Sequence, residues 1–132
     1  MKTPSPVPAR NLVFVLLFTL LVAGLFPSCG KFGSNTSAQR DAIINDLTQL
    51  VPFAYQYRSR PDSLGGGAGS YLGFTIPSGL TKNENATYSV KEVTADNVTF
   101  VAVSAKNPAN MINVSVDSTG KPAKWIYFGE FM

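Results

Sequence analysis

The hydrophobic period of this chain changes once, and that change limits what it can fold into. Before the glycine-rich segment at Gly65, apolar residues recur with helical spacing. Ile43, Leu47, Leu50 and Ala54 are four, three and four apart, and Arg40, Asn45, Asp46 and Gln49 fall mainly on the other side. After it, from Tyr71 onward, the period is two. One amphipathic helix followed only by short strands predicts an α+β fold. A lone helix must bury its apolar stripe, and the sheet is its available partner. The chain has 132 residues, a length that fits one modest domain.

The helix has a readable start. Thr36 and Gln39 form a T-x-x-Q capping box, and Asp41 is expected in the first turn, where the helix dipole favours an anion. Pro52 conflicts with it, because an interior proline removes a hydrogen bond and costs about 3 kcal/mol. A kink near Leu50, or a second helix starting at Pro52, is expected, with Pro61 ending the element. Strands are expected at Tyr71–Ile76, Thr87–Thr94, Val98–Ser104, Met111–Val116 and Lys124–Phe128. Val98–Val103 is apolar on both faces, which suits a central strand. Ala95–Asn97, Lys106–Asn110 and Asp117–Gly120 supply the turns. Short links between successive strands imply a meander. The expected architecture is one N-terminal amphipathic helix packed on a four- or five-stranded antiparallel β-meander.

Upstream of the helix the composition is different. Lys2 and Arg10 flank a proline-rich start, and Leu12 to Phe26 carries no charge. A basic region followed by an apolar run of about 15 residues is the order of a secretory signal. As a helix that run would span about 22 Å, short of the roughly 30 Å hydrocarbon core of a bilayer. It ends Leu25-Phe26-Pro27-Ser28-Cys29-Gly30. A small residue, then Cys, then Gly, directly after an apolar run, resembles the lipobox of bacterial lipoproteins. That resemblance implies cleavage before Cys29 and acylation of its thiol, and two or three acyl chains anchor a protein stably. The alternative is an inert Cys29 beside an ordinary cleavage site. The expected organisation is a signal peptide over 1–28, a lipid-anchored tether over 29–36 rich in small polar residues, and a globular domain over 37–132. Of the 11 basic residues, Lys2 and Arg10 precede Cys29, and none of the 8 acidic ones does. The segment after cleavage would therefore carry a side-chain net charge of +1, not +3.

Several chemistries are removed by what the sequence lacks. There is no His, so Ser-His-Asp triads, Cys-His pairs and His-ligated metals are excluded. The single Cys excludes an internal disulfide. No basic stripe is present, so no nucleic-acid partner is expected. The Gly65–Ser70 loop fails the G-x-G-x-x-G pattern and follows a helix, whereas phosphate cradles open one. It is read as a flexible chain reversal. The eight carboxylates form no close pair or calcium-loop spacing, and no catalytic residue, metal or cofactor is assigned. Four N-x-Ser/Thr sequons, at Asn35, Asn85, Asn97 and Asn113, would carry glycans only in a eukaryotic secretory route. Possible ligand or partner contacts are Arg58, Arg60, Tyr71, Trp125 and Tyr127. Aromatics of this kind more often serve as core and cross-strand packing. The Lys124–Phe128 edge is a place where a partner strand could add.

Residues Gln39 to Phe131 also resemble small bacterial pilin-like envelope proteins. The residues that carry the likeness are Arg40–Asp46, Tyr57–Pro61, Gly65–Tyr71 and Asn83–Tyr88. The resemblance implies a helix-plus-meander subunit of a cell-surface structure, with no catalytic residues. The apolar run lacks a Glu, and Pro27 and the Gly-Ser tether interrupt its continuation into the globular domain, so the expected object is a pilin-like head on a lipid anchor. Its expected place is the extracytoplasmic, membrane-anchored cell envelope, periplasmic or surface-facing. Its expected role is structural or in assembly, with membrane contact through the lipid and a protein partner or self-association. The second reading is an envelope binding module for glycan, peptidoglycan or a protein.

Overall fold

The computed structural model describes residues 35–132. The expected signal peptide, Cys29 and most of the expected tether lie outside the described residues. The chain is α+β. Helix α1 (Asn35–Ser59) packs on a four-stranded antiparallel sheet of β1 (Ala86–Val93), β2 (Val98–Ser104), β3 (Met111–Val116) and β4 (Pro122–Phe128). The strand order is β1-β2-β3-β4, a simple meander. Short 3-10 turns occur at Asp62–Leu64, Ser78–Leu80 and Gly129–Phe131.

α1 begins at Asn35, inside the range expected for the tether. The capping box is therefore displaced: Thr36 is already helical and Asp41 lies beyond the first turn. Gln39 is buried instead, and its Nε2 donates to the Asn85 carbonyl at 3.4 Å. Pro52 neither ends the helix nor starts a second one; α1 runs through it to Ser59. Ile43, Leu47 and Leu50 lie before Pro52 in the core and Ala54 after it. Each large aliphatic side chain buried there contributes about 1.5–3 kcal/mol, which together outweighs one proline. Pro52 itself is exposed, as is Thr48, whose carbonyl loses its helical donor on the side where water can replace it.

The core is the space between α1 and one sheet face. Tyr88 of β1, Phe100 and Ala102 of β2, and Ile112, Val114 and Val116 of β3 face inward. The register sets Ala102 opposite Ile112 and Phe100 opposite Val114, so the period-two alternation aligns across strands. Trp125 and Tyr127 of β4 stand opposite Val114 and Ile112, on the same inner face. Tyr57, Phe74 and Phe100 make successive edge-to-face contacts at 5.6 and 6.0 Å. Phe131 closes one end and is held there by Asn110, whose Oδ1 accepts the Glu130 amide at 2.9 Å and whose Nδ2 donates to the Glu130 carboxylate at 3.1 Å.

Two loops differ from expectation. Tyr71–Ile76 forms no strand, which leaves four strands. Gly73 has φ +85°, the Phe74 amide donates to the Tyr71 carbonyl at 2.9 Å, and the segment turns. Burial there follows a period of three, with Tyr71 and Phe74 inside and Leu72 56 % exposed. The glycine-rich reversal is tied to the end of α1 by backbone hydrogen bonds. The amides of Gly67, Ala68 and Gly69 donate to the carbonyls of Tyr57, Arg60 and Arg58, so the loop satisfies acceptors that the helix end leaves open. A Cβ on Gly67 would collide with the Ser70 carbonyl, and Gly69 sits at φ +92°.

Candidate functional site

Asp46 is the polar centre of the α1–β1 junction. Its Oδ2 accepts from Tyr88 Oη at 2.5 Å, Asn83 Nδ2 at 2.8 Å and Asn85 Nδ2 at 2.9 Å. Asn83 Oδ1 in turn accepts the Asn85 and Ala86 amides at 2.9 and 3.1 Å. Partial burial raises the Asp46 pKa, but the three hydrogen bonds outweigh it and hold the carboxyl below its ordinary value. Burial and the facing carboxylate push the Tyr88 hydroxyl well above its ordinary value. The pair is thus a carboxylate and a phenol at neutral pH. Neither is poised to exchange a proton there, and both states favour the hydrogen bond that ties the helix to the sheet.

Beside this network is a cleft of about 210 Å³. Phe53 and Leu80, 42 % and 39 % exposed, form its apolar walls, and Gln49 and Lys82 also line it. Small-molecule sites usually occupy about 300–1,000 Å³, so this cleft suits one side chain or a small polar group. Among the described residues, no three His, Cys, Asp or Glu side chains converge as metal ligands would.

Sequence gave no pointer to the Asp46 network, because its partners lie 37 to 42 positions away. The residues expected to contact a ligand are dispersed. Arg58 turns inward: its guanidinium lies 5.5 Å from the centre of the Tyr71 ring and its Nη2 is 3.3 Å from Asp96 Oδ1. It thereby joins the helix end to the β1–β2 turn. Tyr71 is fully buried and its hydroxyl donates to the Asp117 carbonyl at 2.6 Å, so it is a core residue and not a surface contact. Arg60 is exposed at the helix end, where its carbonyl accepts the Ala68 amide at 3.0 Å. Trp125 and Tyr127 are half-buried against the core from β4, at the opposite margin of the sheet.

The two edges of the sheet are built differently. β1 is shielded along its first half by Thr81–Asn83. Tyr88 N donates to the Thr81 carbonyl at 2.8 Å, Asn83 N donates to the Ala86 carbonyl at 3.0 Å, and Lys82 bridges Thr87. Its second half is bulged between Val90 and Glu92. Cover and bulges are devices that keep an edge from pairing. β4 keeps an unbroken register with β3 from Lys124 to Phe128, and its irregularity is confined to the start at Pro122. Among the described residues nothing pairs with its outer side. Among the described residues, too, no helix is long and apolar enough to cross a membrane. No protein family, curated relative or solved structure matches this chain.

Proposed function

We propose that this chain is a lipid-anchored, extracytoplasmic assembly protein of the bacterial cell envelope, with a pilin-like helix-plus-meander head. In this reading Cys29 carries the lipid, residues 29–34 lead to the head, and the head docks onto a protein partner or another copy. The observation that carries the assembly role is the contrast between the shielded edge of β1 and the edge of β4, which is regular over Lys124–Phe128 and which no described residue covers. An edge of that kind is a template for strand addition. The leader, with its charge-free run ending at Ser28-Cys29-Gly30, supports the anchor.

A second reading, an envelope binding module, is favoured by the apolar cleft of Phe53 and Leu80 beside Asp46 and Lys82. Its modest volume suits a side chain or a sugar substituent better than a whole ligand. Fractionating cells that express the full chain separates the anchored reading from a soluble one. The wild type is expected in the membrane fraction and, once solubilised in mild detergent, to sediment above the mass of one chain. Cys29→Ala is expected to leave the membrane. Membrane retention of Cys29→Ala would contradict the lipid anchor, and a wild-type monomer that binds glycan would contradict the assembly role.

A further inference from the structure

We propose that β4 pairs antiparallel with β4 of a second copy, with Ile126 on the two-fold axis, to form one continuous eight-stranded sheet. The inference rests on the assembly reading and names its partner as this same chain.

Three observations lead to it. First, no described residue shields the outer edge of β4, and its one bulge, at Ala123, lies outside the regular stretch Lys124–Phe128. Second, its side chains are divided cleanly by face. Trp125 and Tyr127 lie opposite Val114 and Ile112 on the helix side, and Lys124, Ile126 and Phe128 lie opposite Ser115, Asn113 and Met111 on the outer side. A two-fold axis perpendicular to the sheet keeps each face on its own side only when a residue sits opposite itself. Third, Ile126 is the middle of the regular stretch Lys124–Phe128, and pairing about it is self-complementary. Trp125 meets Tyr127 of the second copy on the inner face, twice by symmetry. Lys124 meets Phe128 of the second copy on the outer face, again twice, and Ile126 meets its own equivalent.

Those pairs have favourable chemistry. Aromatic cross-strand pairs and a cation against an aromatic ring stabilise antiparallel ladders. Trp125 and Tyr127 are only half-buried in one copy, and a neighbouring strand would cover their remaining surface. Pairing centred on Lys124 would instead oppose like charges and draw in Pro122, which has no amide to donate. Centring on Ile126 avoids both.

The test is sedimentation equilibrium of the full chain in a non-ionic detergent, with thermal melts confirming that each variant is folded. The wild type is expected to be a dimer. Phe128→Lys opposes Lys124 of the second copy at two places and is expected to weaken the dimer about tenfold. Adding Lys124→Glu restores opposite charges across the same two pairs, and the double variant is expected to recover wild-type affinity. Lys124 and Phe128 are too far apart on one strand to rescue each other within a copy. In the membrane fraction, Ile126→Cys is expected to link to itself through a short bismaleimide, and Ser89→Cys on the far edge is not. A monomeric wild type, a dimer indifferent to Phe128→Lys, failure of the double variant to recover, or linkage of Ile126→Cys only to a different polypeptide would each overturn the pairing. A monomer still held in the membrane through Cys29 would overturn the pairing while leaving the anchor intact. A soluble chain that dimerises in this register would uphold the pairing and contradict the anchor.

Discussion

Asp46 concentrates more of the fold's polar energy than any sequence pattern suggests. It is one of eight carboxylates, five positions from Asp41 on a helix, with no acid motif around it. Its three donors come from Asn83, Asn85 and Tyr88, residues that only folding brings near. Hydrogen bonds to a charged group contribute about 1.5–3 kcal/mol, and removing one partner of a buried set costs a similar amount. Because the Asp46 pKa is lower in the folded chain, its contribution is fully present above the ordinary value of 3.8 and is lost as pH falls below it. Asp46→Asn is therefore expected to destabilise the protein by about 1–3 kcal/mol at pH 7 and to leave a shallower loss of stability under acid. Denaturant melts of both proteins from pH 7 down to pH 2 check this. Parallel curves across that range would show that Asp46 is not the titrating contact. The same dependence on distance explains why Arg58 and Tyr71 read as surface contacts in the sequence. Asp96 and Asp117, the residues that engage them, are 38 and 46 positions downstream.

The helix and the strands were legible because their signals are periodic. Val98–Ser104 and Met111–Val116 are strands with the expected limits, and the first of them is central in the sheet. Tyr71–Ile76 looks like a strand over six residues, but Gly73 at positive φ and Pro77 just beyond favour a turn, and burial takes every third residue. Pro52 shows the opposite balance. Local propensity says break, yet core residues on both sides of it hold α1 continuous. The cost of Pro52 remains in the folded chain, at an exposed position where alanine fits. Pro52→Ala returns an amide to the Thr48 carbonyl and is expected to stabilise the protein by about 1–3 kcal/mol. Thermal unfolding of the variant measures it, and a lowered melting temperature would mean that the proline is instead required by the packing of Leu50 and Val51.

At the size of the whole chain, two parts with different chemistry are joined near residue 34. The described part is a two-layer head in which a single helix covers only one face of the sheet. The outer face mixes Thr99, Ser115 and Lys124 with Val101, Met111, Ile126 and Phe128. The opposite edges are unequal, and the proposed pairing through β4 rests on that inequality. The other part is a sequence whose charge balance, apolar run and lone Cys29 are the basis of the anchor we propose. The lipid at Cys29 is the claim on which the envelope reading turns. Intact-mass analysis of the protein purified from the membrane fraction tests it directly. The predicted result is the mass of residues 29–132 plus acyl groups, with that added mass absent from Cys29→Ala. An uncut wild-type chain with an unmodified Cys29 would contradict it.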